Sequence, residues 1–343
     1  MVRRYIMIVL GGIFFLMSCT NSKKLGSNTN SVLPIHTFNV IKQLTSNNGN
    51  NFYYKDFASS SSAIRGEQHL IYVVNNAKQV QLYDYQGEYL TQLPIGIQGS
   101  TITDIHNFPT KYKGNTDVLI ISESQNNKLR TYSIDSIQQS LEDITSGEFF
   151  SAVDEIKSTI AYYSKHSNAY YLFVAGKRGM IEQWELKDDG YGHIEGKIVR
   201  VFNVYDVPSA LALDTASEVL YIAVNHEGIY KIGAQPQMGS SPTPVVLVKD
   251  NKHFLAENLG GIAFYPPSPK YKEGGLLVCS ADNKSLLLVD IASQTISEQV
   301  NIKGNDVLDN VSKSLILKPL WGEKDSYILS DNDSEGEGLK IIH

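Results

Sequence analysis

Cysteine is scarce: the 343 residues hold two, Cys19 and Cys279. That count excludes a disulfide framework, a CxxC redox pair and a cysteine-based zinc site. Cys279 ends the run Leu276-Leu277-Val278-Cys279 and reads as a small buried core residue. Basic clusters are also missing. With 30 Lys and Arg against 36 Asp and Glu, the formal charge is −6, which excludes no fold but disfavours nucleic acid as a partner. The sequence contains no HExxH, no GxSxG and no phosphate-cradling glycine loop, and its eight histidines are scattered without metal-ligand spacing. No apolar run is long enough to be a transmembrane helix.

What is present begins at the N-terminus. Arg3 and Arg4 precede an apolar run from Tyr5 to Met17, which ends in Leu16-Met17-Ser18-Cys19. This has the form of an export signal, and Leu-x-Ser-Cys is the bacterial lipoprotein pattern in which the cysteine is acylated. An ordinary cleaved signal with a chance cysteine is the alternative. Residues 1–18 are thus read as signal peptide and 19–35 as a lipidated tether, since Thr20–Ser31 is Ser-, Asn- and Thr-rich. Removing 1–18 takes Arg3 and Arg4 and moves the charge from −6 to −8. The acyl chains on Cys19 would give stable membrane anchoring, with the outer membrane as the expected site.

Residues 36–343 repeat one pattern: a short apolar strand, polar turn residues, then a second strand. The repeats start at Leu70, Val118, Tyr171, Leu220, Leu276 and Tyr327, with spacings of 48, 53, 49, 56 and 51. Runs of Val, Ile, Leu and Tyr broken by Asn, Gly, Asp and Ser are hairpin signals. Six units of about 50 residues, each with room for four strands, predict an all-β, six-bladed β-propeller. The last unit is short of strands, and His36–Ile41 is expected to supply one from the N-terminus and so cover an open edge. Ser136–Thr145 is the best candidate for a short helix.

Residues 170–233 carry a more specific signal. They contain Val174-Ala175-Gly176-Lys177, Glu182-Gln183-Trp184-Glu185-Leu186, Gly196-Lys197-x-Val-Arg200, Leu220-Tyr221-Ile222-Ala223 and Gly228-Ile229-Tyr230-Lys231. This stretch resembles the centre of the β-propeller phytases, calcium-dependent enzymes that release phosphate from inositol hexakisphosphate. The resemblance extends from about Phe52 to His343. It implies a phytase-like propeller with several calcium ions at the channel mouth, held by carboxylates from different blades. Calcium needs six to eight oxygen ligands, and it would activate the attacking water and neutralise phosphate charge.

The acidic positions of that pattern are mostly replaced. The family's Asp-Asp-Pro-Ala-Ile reads Ser60-Ser61-Ser62-Ala63-Ile64, and its Asn-x-Asp reads Thr101-Ile102-Thr103. Glu-Gly-x-x-x-Asp-Asp-Glu becomes Ser209 to Ala216 with only Asp214 retained, Ala-Glu-Glu becomes Ala223-Val224-Asn225, and Asp-x-Glu-Gly becomes Asn258-Leu259-Gly260-Gly261. A phosphate-binding arginine is Ser124 here. Two positions survive by resemblance: Tyr162 at a substrate-contacting tyrosine and Lys177 at a phosphate-binding lysine. Arg178 stands where the family has a glutamate, and Lys177 with Arg178 on one loop could bind an anion directly. Asn225 and His226 are further ligand-contact candidates. Asp331, Asp333 and Glu335 form an acidic loop like the family's C-terminal structural calcium loop in position, which makes calcium a possible ligand there.

Two functions follow from this reading. The first is a lipid-anchored, catalytically degenerate propeller that binds a ligand or an envelope protein, such as an outer-membrane transporter. The second is a divergent calcium-dependent phosphoric monoester hydrolase acting on inositol hexakisphosphate.

Overall fold

The repeated apolar runs become strands because they are rich in β-branched and aromatic residues and are separated by turn formers. The computed structural model describes residues 33–44, 56–62, 68–74, 78–84, 87–123, 126–135, 138–252, 255, 257–281, 285–303, 317–319, 327–331 and 338–342. Pro34–His343 forms one compact unit. Met1–Leu33 is divided from it, and Cys19 with the signal and nearly all of the tether lies outside the described residues.

Strand β1 is Ile35–Leu44. The first sheet holds β2 (Asp56–Ser62), β3 (Gln68–Val74), β4 (Gln79–Asp84) and β5 (Tyr89–Pro94). The second holds β6 (Gly99–Thr110), β7 (Gly114–Glu123) and β8 (Lys128–Asp135), with β9 (Ser140–Asp143) and β10 (Phe149–Phe150) both on the edge of β8. The third runs β11 (Ile156–Ser164), β12 (Ala169–Gly176), β13 (Met180–Asp188) and β14 (Ile194–Asn203). The fourth runs β15 (Pro208–Asp214), β16 (Val219–Val224), β17 (Gly228–Gly233) and β18 (Thr243–Leu247).

Strands β19 (Leu259–Tyr265), β20 (Gly275–Ser280), β21 (Ser285–Asp290) and β22 (Thr295–Lys303) continue through β1 into β25 (Gly338–Ile342), β24 (Tyr327–Asp331) and β23 (Leu317–Pro319). The architecture is therefore an all-β propeller with five hydrogen-bonded sheets, not the six separate blades expected. The reason is β1. Its first half, Ile35–Asn39, pairs parallel with Gln299–Lys303 of β22, and its second half pairs antiparallel with β25. A bulge between Val40 and Lys42 separates the two pairings, so one ladder runs unbroken through eight strands.

The first strands of successive sheets pack side by side, β2 on β6, β6 on β11, β11 on β15, β15 on β19, and β19 on β23. Lys318 of β23 then returns to the beginning. Its Nζ lies 2.7 Å from Asp56 Oδ1 and donates to the Ile102 carbonyl at 2.7 Å. The Ile102 N–H donates to Asp56 Oδ2 at 2.8 Å. One ion pair thus ties β23, β2 and β6 together.

Middle strands are buried on both faces because each sheet packs against its neighbours; all six residues of β20, Gly275–Ser280, are buried. The peripheral β14 alternates buried and exposed residues from Arg200 to Asn203, as a half-solvated strand should. Apolar clusters fill the gaps between sheets. One of them includes Phe149 and Trp184, whose rings stack at 5.9 Å, together with Leu172 and Ile194. Residues 138–145 of the expected helix are not helical: Ser140–Asp143 is β9, where Leu141 packs onto the cluster of the first two sheets and the backbone finds partners on β8. The only helix among the described residues is a 3-10 turn at Val248–Asp250.

A histidine whose side chain is 9% exposed sits in β6. His106 Nε2 is 2.7 Å from Asp104 Oδ2, and its Nδ1 is 3.5 Å from Asp117 Oδ1. Asn107 beside it has φ 54°, and its N–H donates to the same Asp117 oxygen at 3.0 Å. Burial alone would lower the imidazole pKa, but hydrogen bonds and charge from Asp104 and Asp117 raise it to about 9. A raised histidine pKa stabilises the fold fully below the unfolded value of about 6.5, and that contribution is lost as pH rises through the folded value. Denaturant unfolding should therefore show about 2–3 kcal/mol of stability lost between pH 6.5 and 9.5 that a His106→Gln variant does not lose. Parallel pH profiles for the two proteins would contradict this assignment.

Candidate functional site

One end of the strands collects the turns β12–β13 and β16–β17 and the connectors β10–β11, β14–β15 and β18–β19. Backbone bonds lace these segments together. Lys177 N–H donates to Glu155 O at 2.9 Å, Val204 N–H to Gly179 O at 2.9 Å, and Asn225 N–H to Val207 O at 2.9 Å. His226 N–H donates to Glu257 O at 2.7 Å. Gly179 turns the β12–β13 hairpin at φ 86°, where a Cβ would run into the Val204 carbonyl.

The connector before β11 is held from below by Glu182, which is almost fully buried. Its carboxylate accepts from Ser151 Oγ at 2.7 Å, Ala152 N–H at 2.9 Å and Trp184 Nε1 at 3.0 Å. Asn127 Nδ2 adds a bond to the Val153 carbonyl at 2.8 Å. A carboxylate saturated by three donors is stable when buried, and here it fixes the loop that presents Asp154 and Glu155.

On that loop Glu155 bridges two lysines. Lys157 Nζ lies 2.5 Å from Oε1 and Lys177 Nζ lies 3.2 Å from Oε2. The hydrogen bond from Lys157, then that from Lys177, holds the Glu155 carboxyl below the usual range. Arg178, 87% exposed in its side chain, places Nε 3.2 Å from Asp154 Oδ2, and its N–H donates to Oδ1 at 3.2 Å. Three cations thus face two carboxylates on an exposed surface, an arrangement able to exchange an internal carboxylate for an incoming anion.

Asn225 and His226 lie one sheet further on, joined to the Lys177 turn through the connector Val204–Val207. Asn225 Oδ1 accepts from Leu259 N–H at 3.0 Å. His226 stands at φ 60°, with Nδ1 2.9 Å from Asp206 Oδ2. Tyr162 is elsewhere. It is buried, stacked on Phe173 at 6.1 Å, and its hydroxyl donates to the Ala234 carbonyl at 2.9 Å. Ala234 follows β17 at the opposite end of the strands, and burial, with the charge of Glu218 second, pushes the Tyr162 phenol up. Asp331 is the last residue of β24, opposite Gly338. Asp333 and Glu335 lie outside the described residues, as does Ser124.

Several partners carried no sequence signal: Asp154, Glu155, Lys157 and Asp206 are unremarkable in spacing, and only folding brings them to Arg178, Lys177 and His226. Asp56 likewise carries no sequence signal. It is the carboxylate at the head of β2, four residues before Ser60, and it is engaged by Lys318.

The described residues do not fit a multi-calcium centre. They contain no group of three or more His, Cys, Asp and Glu able to hold a metal ion. Thr101, Ser122 and Thr159 are buried and bonded to one another, Thr101 Oγ1 to Ser122 Oγ at 2.8 Å and to Thr159 Oγ1 at 3.0 Å. Val224 is a fully buried apolar residue, and the oxygen of Asn225 is occupied.

Known proteins share this chain's features. Its sequence is 27% identical over 259 residues to a 3-phytase of Bacillus subtilis, covering 71% of the chain and 65% of the relative, so it spans less than two thirds of that enzyme. A protein of unknown function from Desulfotomaculum acetoxidans has a similar structure, at TM-score 0.48 and 16% identity over 71% of this chain and 70% of the other. A nidogen–laminin complex gives 0.46 and 12% over 72% and 80%. The sequence model of the family described as Phytase matches residues 55–315, most of the chain, and on that match the protein belongs to the phytase family.

Proposed function

We propose that this protein is a lipid-anchored, phytase-like propeller of the bacterial cell envelope that binds an anionic ligand at the channel mouth without calcium and without turning it over. The observation that carries this reading is Glu155 held between Lys157 and Lys177. In the proposed cycle a phosphate or carboxylate group of the ligand displaces Glu155 and takes up both ammonium groups, with Arg178 adding a planar donor pair. The hydroxyl chain of Thr101, Ser122 and Thr159 supports the loss of catalysis, since calcium favours carboxylates that these residues do not supply. The eight-stranded sheet is read as two four-stranded blades joined by β1, which restores six units around the axis. Cys19 supplies the anchor, the outer membrane is its proposed site, and an envelope transporter is a proposed partner.

The alternative is a divergent calcium-dependent phytase acting on inositol hexakisphosphate. Its support is family membership and Lys177, retained in the Gly176-Lys177-Arg178-Gly179 turn.

Calorimetric titration with inositol hexakisphosphate in chelator tests the binding claim. Saturable binding is expected, weakened about tenfold or more by Lys177→Ala, equal to loss of roughly 1.4 kcal/mol, and weakened further by salt. Binding that requires calcium, or that ignores Lys177→Ala, would count against it. For the anchor, a Cys19→Ser variant should move from the membrane fraction to the soluble one; continued membrane retention would remove lipidation from the account.

A further inference from the structure

At the opposite end of the strands from Lys177 lies a cavity of about 610 Å³ between the fourth sheet and the β19–β22 half of the eight-stranded sheet. Its walls come from the β15–β16, β17–β18 and β19–β20 turns. Two side chains of these walls each open a polar atom without a protein partner to the cavity. Tyr221 is 3% exposed, its ring stacks on Phe264 at 6.3 Å, and its hydroxyl receives or donates no hydrogen bond among the described residues. Asp214 is 6% exposed; its Oδ1 accepts from Ala216 N–H at 2.9 Å and Ser217 N–H at 3.2 Å, which leaves Oδ2 unengaged. Both atoms are reached by water, so on one cavity wall they are contacts that a polar ligand can take over from solvent.

The charges around them are also unpaired. Lys231 and Lys272 line the cavity and make no ion pair with any described residue, and Glu273 stands beside Lys272 in the wall. Two free ammonium groups call for an anionic group. The Asp214 and Glu273 carboxylates call for O–H donors on the same ligand and disfavour a bare phosphate by charge repulsion. Met238, lying across Gly233, contributes an apolar surface suited to C–H groups. Burial first, then the charges of Asp214 and Glu273, push the Tyr221 phenol up to about 12, so it stays protonated and available as a donor at neutral pH.

We infer that this cavity is a binding site for an acidic saccharide, a short sugar chain whose carboxylate meets Lys231 and Lys272 and whose hydroxyls meet Tyr221, Asp214 and Glu273. The volume suits a ligand of one to three sugar units. The site uses none of the channel-mouth residues and stands or falls apart from them.

Trigalacturonate, with neutral maltotriose for comparison, provides the test by titration calorimetry on the whole chain. Trigalacturonate should bind saturably and maltotriose at least about tenfold more weakly. The Lys231→Ala/Lys272→Ala variant, altered only at side chains on the cavity rim, should lose about tenfold or more, and Tyr221→Phe about fivefold with an unchanged melting temperature. Lys177→Ala should bind trigalacturonate as the unaltered protein does. Absence of saturable binding, equal affinity for maltotriose, or binding that survives the double lysine change would overturn the assignment.

Discussion

A ring of sheets has one unavoidable problem: its last sheet must be tied back to the start of the chain, and an unpaired edge there invites association. This chain solves it with β1. One strand pairs in parallel with β22 and, past a bulge at Val40–Lys42, in antiparallel with β25. The N-terminal strand thereby binds the C-terminal strands, and no adjacent sequence could provide that constraint. Lys318 repeats the closure at the inner strands, where it joins Asp56 and Ile102. Removing either partner of so enclosed a pair leaves a charge short of solvation.

Closure matters for the face that carries Lys177. The turns there are short, and each is bonded to the connector of the neighbouring strand run, so their side chains are set by the ring rather than by local sequence. Glu182 shows how. It belongs to a middle strand, yet its carboxylate fixes the preceding connector and so positions Asp154 and Glu155. The two carboxylates on that loop are each committed to a cation on the next hairpin. A surface of this kind is chemically able to exchange a carboxylate partner for an anion, whereas a metal centre needs several uncommitted carboxylates converging on one point.

Much of the fold was legible because its signal is periodic. The six hairpin-like repeats fall on strand pairs β3–β4, β7–β8, β12–β13, β16–β17, β20–β21 and β24–β25, and His36–Ile41 lies in the strand that closes the ring. The number of sheets was not legible, since it depends on β1 pairing on both sides at once. Ser140–Asp143 carries a polar, helix-compatible sequence, but the open edge of β8 and the burial of Leu141 prevail over propensity. At the site, Lys177 and Arg178 were visible in a turn motif, and His226 and Asn225 in the next. Their partners Glu155, Asp154 and Asp206 are distant in sequence and defined only by three-dimensional contact. Tyr162 illustrates the converse: a tyrosine in a matching stretch whose hydroxyl turns to the other end of the strands to satisfy Ala234.

We propose that the family's scaffold persists here with calcium-dependent hydrolysis removed. The most direct measurement is phosphate released from inositol hexakisphosphate by the purified protein, once with millimolar calcium and once with chelator. No release above the protein-free control is expected in either condition. Calcium-dependent turnover abolished by chelator would contradict it and would require a set of carboxylate ligands beyond those described.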